Sequence, residues 1–330
     1  MVTREDVARA CGVSTMTVTR VASGKGYVKE ETKKKVNQAI KSMGYFPNKV
    51  ASHLAQKKSN EIAIILPDLT NPYYLQVIDA IIREATKHSH VATIFKASEE
   101  NISEVLEEIV SNRVAGVVNY SAAFPEKYVK VLKEMEVRVI RSNGYDVEIG
   151  RVLDYNNAIK TAIGVLKSKG AKNIIFVSGM SEKYLARDPR YSLFLKNMKA
   201  CGLETNSNSI IYGNYPEEKA FIVGYNIAKT ILEGNNKPDA VFCINDMMAF
   251  GFISAAKRKG IKLPDELAIV GFDNIYLSAF YEPSLSTIDI NIEKEARLYV
   301  DYIVSDKIET SIYQEAEFIE RDSTNFLNKN

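Results

Sequence analysis

Asp6-Val-Ala-Arg-Ala-Cys-Gly-Val-Ser14-Thr-Met-Thr-Val-Thr-Arg20-Val21, followed by Tyr45-Phe-Pro-Asn48-Lys-Val-Ala51-Ser-His-Leu54, is the stretch that decides how this chain is read. Val7, Ala8 and Ala10 share one helical face, Gly12 permits a left-handed turn, and Ser14 has the side chain to cap a second helix. Val18 and Val21 then face back toward the first helix, leaving Thr15, Met16, Thr17 and Arg20 outward. Two short helices meeting at a glycine turn, with such an outward face, form a helix-turn-helix whose second helix enters the DNA major groove.

Residues 3 to 54 resemble the headpiece of the lactose-repressor (LacI/GalR) family of bacterial transcription regulators. The Asp-Val-Ala, Gly-Val-Ser and Tyr-x-Pro-Asn signatures all stand here. Three departures are visible: Thr19 for a serine, Ala22-Ser23 for Leu-Asn, and Ser52 for the arginine before Leu54. The first is chemically mild, and the other two bear on operator contacts rather than on fold.

Charge gives independent support. Residues 1–58 hold 12 Lys+Arg against four Asp+Glu, while the whole chain is only +2, so a basic head precedes an acidic body. A positive charge confined to one end suits a polyphosphate partner. The alternative is a solvated basic face around Lys33-Lys34-Lys35.

At 330 residues, length suggests two or three domains, and 46% apolar with 25% charged residues is an ordinary globular composition. No apolar run reaches the ~18 residues that span a bilayer, and the charged N-terminus is no signal peptide. Cys11, Cys201 and Cys243 are too few and too scattered for a disulfide framework or a zinc site, and read as buried thiols. The expectation is a cytoplasmic, nucleoid-associated protein with no cofactor, no metal and no membrane partner. Three histidines, no Walker loop, no His-Glu-x-x-His and no Gly-x-Ser-x-Gly leave no catalytic constellation, so a non-enzyme is expected.

A third head helix is expected from about Lys29 to Met43, with Val36, Ile40 and Met43 at core spacing. Residues 1–46 then form the headpiece and 47–60 a short hinge helix and linker, too short for stability alone. The resemblance implies that Leu54 wedges into the central minor groove when a dimer docks on its operator; the alternative is a linker whose Leu54 merely packs. From residue 61, short β-branched runs (Ile62–Pro67, Val91–Phe95, Ala115–Tyr120, Val137–Arg141, then Asn173–Ser178, Ser209–Gly213, Ala240–Ile244 and Leu267–Gly271) alternate with amphipathic helical stretches. This pattern predicts an α/β fold of two doubly wound parallel-sheet lobes behind a small all-α head. The resemblance extends over this body, which is similar to periplasmic-binding-protein-like cores, and implies crossings between lobes near Tyr155, Ile288 and Glu317. The N-lobe is then about 61–155 with 289–316, and the C-lobe about 156–288 with 317–330.

In parallel α/β lobes, ligands bind beyond the carboxyl ends of strands. That rule and the family's motifs select Tyr73, Tyr74, Arg190, Tyr215, Asn245 and Asp273, with Asn157 just past the first crossing. Leu193 departs from the family's Arg-x-x-Gly-Phe motif at its glycine. Asp273, Arg190 and Asn245 suit adjacent hydroxyls and tyrosine rings suit an apolar sugar face, so a sugar or polyol effector is expected, with a nucleobase as the alternative. Tyr73 and Tyr74 can also be read as helix-start packing, and Asp246 as a cap for the helix from Met247.

The resulting expectation is a repressor acting as a homodimer on palindromic double-stranded operator DNA. Ser14, Thr15, Met16, Thr17 and Arg20 lie at the major groove, Arg20 for a guanine, with Thr32 and Tyr45 on phosphates. By resemblance Asn48, Ala51 and Leu54 belong to the DNA-binding set. An enzyme with an accessory head, or a secreted sugar receptor, would need features absent above. Whether effector relieves or promotes DNA binding is left open.

Overall fold

The computed structural model describes residues 2–325 apart from 24–25, 47–58, 122–123, 142–144, 147–150, 187, 216, 235 and 306–312. The chain divides into two compact units, residues 1–59 and 60–330. In the first, α1 (Arg4–Cys11) begins with a reciprocal capping box between Thr3 and Asp6 and ends at Gly12, whose φ of 62° lies in the left-handed region that glycine tolerates without cost. α2 (Thr15–Ser23) and α3 (Glu30–Met43) complete a three-helix head. Its core is Val7, Ala8, Cys11, Val18, Val21 and Val36. Val7, Val18 and Val36 are fully buried, each worth about 1.5–3 kcal/mol by removal from water.

The second unit opens with β1 (Glu61–Leu66), which pairs in parallel with β2 (Val91–Lys96) and β3 (Gly116–Asn119); β4 (Arg138–Arg141) lies beyond β3. The run Ile62–Leu66 is buried on both faces, as a central parallel strand must be. Ile62, Ile64 and Leu66 face Val77 and Ile81 of the helix Pro72–Lys87, whereas Ala63 and Ile65 join Leu106 and Ile109 on the other side. The period-2 alternation of a strand divides these residues between two cores.

A second sheet has the order β13-β11-β10-β9-β7-β8. Its strands are β7 (Ile174–Val177), β8 (Ile210–Ile211), β9 (Ala240–Cys243), β10 (Ala268–Phe272), β11 (Ser286–Asp289) and β13 (Glu317–Ile319). All pair in parallel except β13, which runs antiparallel to β11. A small sheet links the short strands β5 (Tyr145–Asp146) and β6 (Arg151–Asp154) to β12 (Tyr313–Glu315). The chain thus enters the six-stranded sheet after Asp154. The helix Ile292–Val304 returns it to the first sheet, placing Ile303 against Gly116, and β13 brings it back.

Strand β11 was not anticipated, because Ser-Thr-Ile-Asp carries hydroxyls where a core strand normally has apolar groups. Both hydroxyls are buried and bonded, Ser286 Oγ to the Arg321 carbonyl at 3.0 Å and Thr287 Oγ1 to Asp246 Oδ1 at 2.6 Å. The expected strand Ser209–Gly213 contracts to Ile210–Ile211, since Ser207–Ser209 form a 3₁₀ turn. Cys11 and Cys243 are buried as expected, but Cys201 is half-buried. No helix among the described residues is long and apolar enough to cross a membrane.

Candidate DNA-reading face and ligand cleft

On α2 the hydroxyl of Ser14 accepts from the backbone N of Thr17 at 3.1 Å and pairs with Thr17 Oγ1 at 2.9 Å, capping the helix. Thr15 is half-buried and its carbonyl accepts from Thr19 Oγ1 at 3.0 Å. Met16, 60% exposed, Arg20 and Ala22 are the exposed side chains among the described residues of α2. Thr32 is half-buried in the first turn of α3, and Tyr45 packs on the head core just past Gly44. Lys33, Lys34 and Lys35 are all exposed. Tyr27 and Phe46, both almost fully exposed, were not singled out from sequence, where an isolated aromatic residue gives no sign of facing water. Asn48, Ala51 and Leu54 lie outside the described residues.

The second unit encloses a cavity of about 120 Å³. Tyr73 and Tyr74 reach it from the helix following β1, and Tyr120 from the end of β3. Their rings meet edge-on, with centroids 5.2–6.2 Å apart. From the six-stranded side come Asp188, Arg190, Tyr215, Asn245, Phe272 and Asp273. Tyr155 and Ile290, at two of the crossings, close the ring. Of the residues selected from sequence, Tyr73, Tyr74, Arg190, Tyr215, Asn245 and Asp273 converge here. Asn157 does not: it lies on the exposed side of its helix, and Tyr155 occupies the wall instead. Tyr120 was missed although it follows a strand end, the same signal that selected the others.

Arg190 is held rigidly. Its Nε and Nη2 donate to the two oxygens of Asp188 at 2.9 and 2.6 Å, and its Nη1 to the Ile244 carbonyl at 3.0 Å. The guanidinium sits 5.1 Å from the centre of the Phe272 ring. Burial opposes the Arg190 charge, but the adjacent Asp188 carboxylate holds its pKa above the ordinary arginine value. Leu193, in place of the family glycine, is half-buried in an unbroken helix Pro189–Ala200.

Asp273 has an unusual backbone, with φ of 112° followed by Asn274 at 50°. A non-glycine pair in this region is strained and must be held by its surroundings. The hold comes from Arg321, which donates to Asn274 Oδ1 at 2.7 Å and to the Leu285 carbonyl at 2.7 Å, and from Ile288, whose carbonyl accepts from Asp273 N at 2.9 Å. Asp273 is 6% exposed, and no hydrogen bond to its carboxyl is found among the described residues. Burial first, and then the neighbouring Asp246 carboxyl, raise its pKa well above the usual carboxylate range.

Asp246 is not the expected cap. Asn245 takes that role, accepting from Met248 N at 2.8 Å. Asp246 is fully buried and receives Ile275 N, Ser278 Oγ and Thr287 Oγ1 at 2.6–2.9 Å, tying three segments together beneath the cleft. Its pKa is pushed up to about 7, chiefly by burial and against the effect of those bonds. Gly271 is required there, because a Cβ would fall 2.1 Å from Asp246 Oδ1.

Comparison with known proteins agrees with this geometry. Residues 3–48 match the bacterial regulatory proteins of the lacI family, and residues 163–324 match a periplasmic binding protein-like domain. Catabolite control protein A of Priestia megaterium is 32% identical over 98% of this chain and 99% of its own. The HTH-type transcriptional repressor PurR of Pasteurella multocida is 32% identical over 87% of this chain and 86% of its own. A lac repressor dimer bound to operator and the anti-inducer ONPF shares the fold, with a TM-score of 0.81 at 21% identity over 98% of this chain and 99% of that one. The chain therefore belongs to the LacI family of DNA-binding bacterial transcription regulators.

Proposed function

We propose that this regulator is a homodimeric repressor of palindromic operators whose DNA affinity is set by a sugar-like effector in the cleft. One observation carries the reading. Polar groups with hydrogen-bonding capacity and a set of tyrosine rings, drawn from both sheets, converge on one cavity at the strand ends. About 120 Å³ is on the order of the cavity that holds one benzene ring, the scale of a single-ring ligand. Tyrosine faces cover C–H surfaces, while Asp273, Arg190 and Asn245 take hydroxyls, and a ligand that leaves them unpaired loses about 1–3 kcal/mol per group.

Because the walls come from two sheets, a ligand that binds the closed arrangement better shifts their relative position, and the head's affinity follows by linkage. In the head, Met16, Thr15, Thr17 and Arg20 read the major groove, Ser14 fixes the helix, Thr32 and Tyr45 set register on phosphates, and Asn48, Ala51 and Leu54 extend contact to the minor groove. The experiment is selection from a randomised DNA library at physiological salt, repeated with sugars and nucleobases. A palindrome whose enrichment changes with a sugar is the expected result. A response to a nucleobase alone replaces the effector class, a reading favoured by the aromatic walls. A palindrome indifferent to every compound removes the effector role.

A further inference from the structure

We infer that the cleft is built against anions: its ligand is an uncharged, hydrogen-bond-donating molecule of monosaccharide size, and phosphorylated forms of that ligand are rejected. This rests on the effector reading above and narrows it. Two features that ordinarily hold a phosphate are present at the cavity and both are already occupied, while a third group there disfavours an anion.

The first is cationic charge. Arg190 is the only lysine or arginine lining the cavity among the described residues, and Asp188 takes its Nε and Nη2 edge. With Asp188 ionised and Arg190 protonated, the remaining group is Asp273. The cavity sum is therefore zero with Asp273 protonated and −1 with it ionised. Neither state attracts a dianion, and the second repels it at close range in a medium where charges are poorly screened.

The second is helix N-termini. Three helices begin at the cavity wall: Pro72–Lys87, Pro189–Ala200 and Asp246–Arg258. Free backbone N–H groups at such ends bind phosphate readily. Here each is capped by its own side chain: Asn71 accepts from Tyr73 N at 3.0 Å, Asp188 from Arg190 N at 2.9 Å, and Asn245 from Met248 N at 2.8 Å. Two of the three start with proline, which has no N–H to offer. One cap is itself a carboxylate.

The third is the lone buried acceptor. Asp273 is nine-tenths buried, lines the cavity and has no side-chain hydrogen bond among the described residues. A carboxyl so placed wants donors, and a pair of neighbouring hydroxyls supplies two. A phosphate at pH 7 supplies almost none.

The test uses the full-length protein and matched pairs: glucose with glucose 6-phosphate, ribose with ribose 5-phosphate, fructose with fructose 1,6-bisphosphate, and adenosine with adenosine monophosphate. Direct calorimetry measures each neutral member, and the phosphorylated member is tested as its competitor, so that anions on the basic head are not counted. In any pair that binds, the neutral member is expected to be at least about tenfold tighter, a difference of about 1.4 kcal/mol. Two variants locate the cause. Asp188→Asn keeps a good helix cap but releases Arg190, and should raise the phosphorylated member's affinity at least about fivefold. Asp273→Asn should weaken the neutral member at least about tenfold. A phosphorylated member that displaces its neutral partner more strongly in the native protein overturns the inference while keeping a carbohydrate or nucleoside site. Unchanged selectivity in both variants overturns the assigned cause. No binding by any pair removes the effector reading itself, and this inference with it.

Discussion

The head and the cleft encode function in opposite ways. The head writes it locally: the cap Ser14, the buried Val18 and Val21 and the proposed reading face Thr15 to Arg20 of one helix lie within eight consecutive positions. The cleft is assembled from residues as distant as Tyr73 and Ile290, brought together by parallel sheets and three crossings. A local site is lost by changing what touches the partner. An assembled site is also lost by changing what holds the assembly, and Asp246, which does not line the cavity, is such a holder.

The largest effect should come from the head. On the proposed reading Arg20→Ala removes a base contact twice per operator-bound dimer, at about 1–3 kcal/mol each, so operator affinity is expected to fall roughly 30-fold or more in a binding assay. Effector affinity measured by calorimetry should stay within about twofold; a larger change would mean that the two sites are not separately encoded. Next is Gly271→Ala, which touches no ligand. Its Cβ overlaps a fully buried carboxyl, so the second unit should lose about 1–3 kcal/mol in denaturant unfolding. Native stability here would show that the Asp246 support can relax.

A further effect is pH-linked and spread over several pH units. The pKa of Asp246 is raised to about 7 on folding, above the ordinary 3.8. Its stabilising contribution is therefore complete below about 3.8, declines as pH rises toward 7, and is absent above it, with a slope of about 1.4 kcal/mol per pH unit within the window. Relative to Asp246→Asn, the native protein should lose stability across that window in thermal unfolding; parallel curves would show that Asp246 is ionised throughout. The smallest expected effect is Asn157→Ala, with effector affinity changed less than about twofold. A tenfold loss would bring Asn157 back into the site, through a rearrangement the present structure does not contain.

Legibility in the sequence follows the same division. The three head helices and the central apolar strands could be read because their periodicity and caps are local. Tyr73, Tyr74, Arg190, Tyr215, Asn245 and Asp273 were reachable by combining strand ends with family motifs. Asn157 was misplaced because, next to a crossing, residues two positions apart lie on different sides of the helix start, and nothing local says that Tyr155 turns inward. Strand β11 was hidden because its hydroxyls are satisfied by Asp246, Asn274, Arg321 and Thr324, all distant in sequence. Asp188 was legible only as a residue before a proline; its pairing with Arg190 depends on the helix geometry that brings both to one wall.

The return of the chain through residues 313–325 has a consequence for synthesis. β12 and β13 complete two sheets, Ser323 Oγ bonds the Ile269 carbonyl at 2.6 Å, and Arg321 restrains the turn that carries Asp273. These residues leave the ribosome long after the head. A nascent chain can therefore fold its three helices and meet DNA while its cleft still lacks the strands that shape it. For that interval, it is a basic head without a finished cleft.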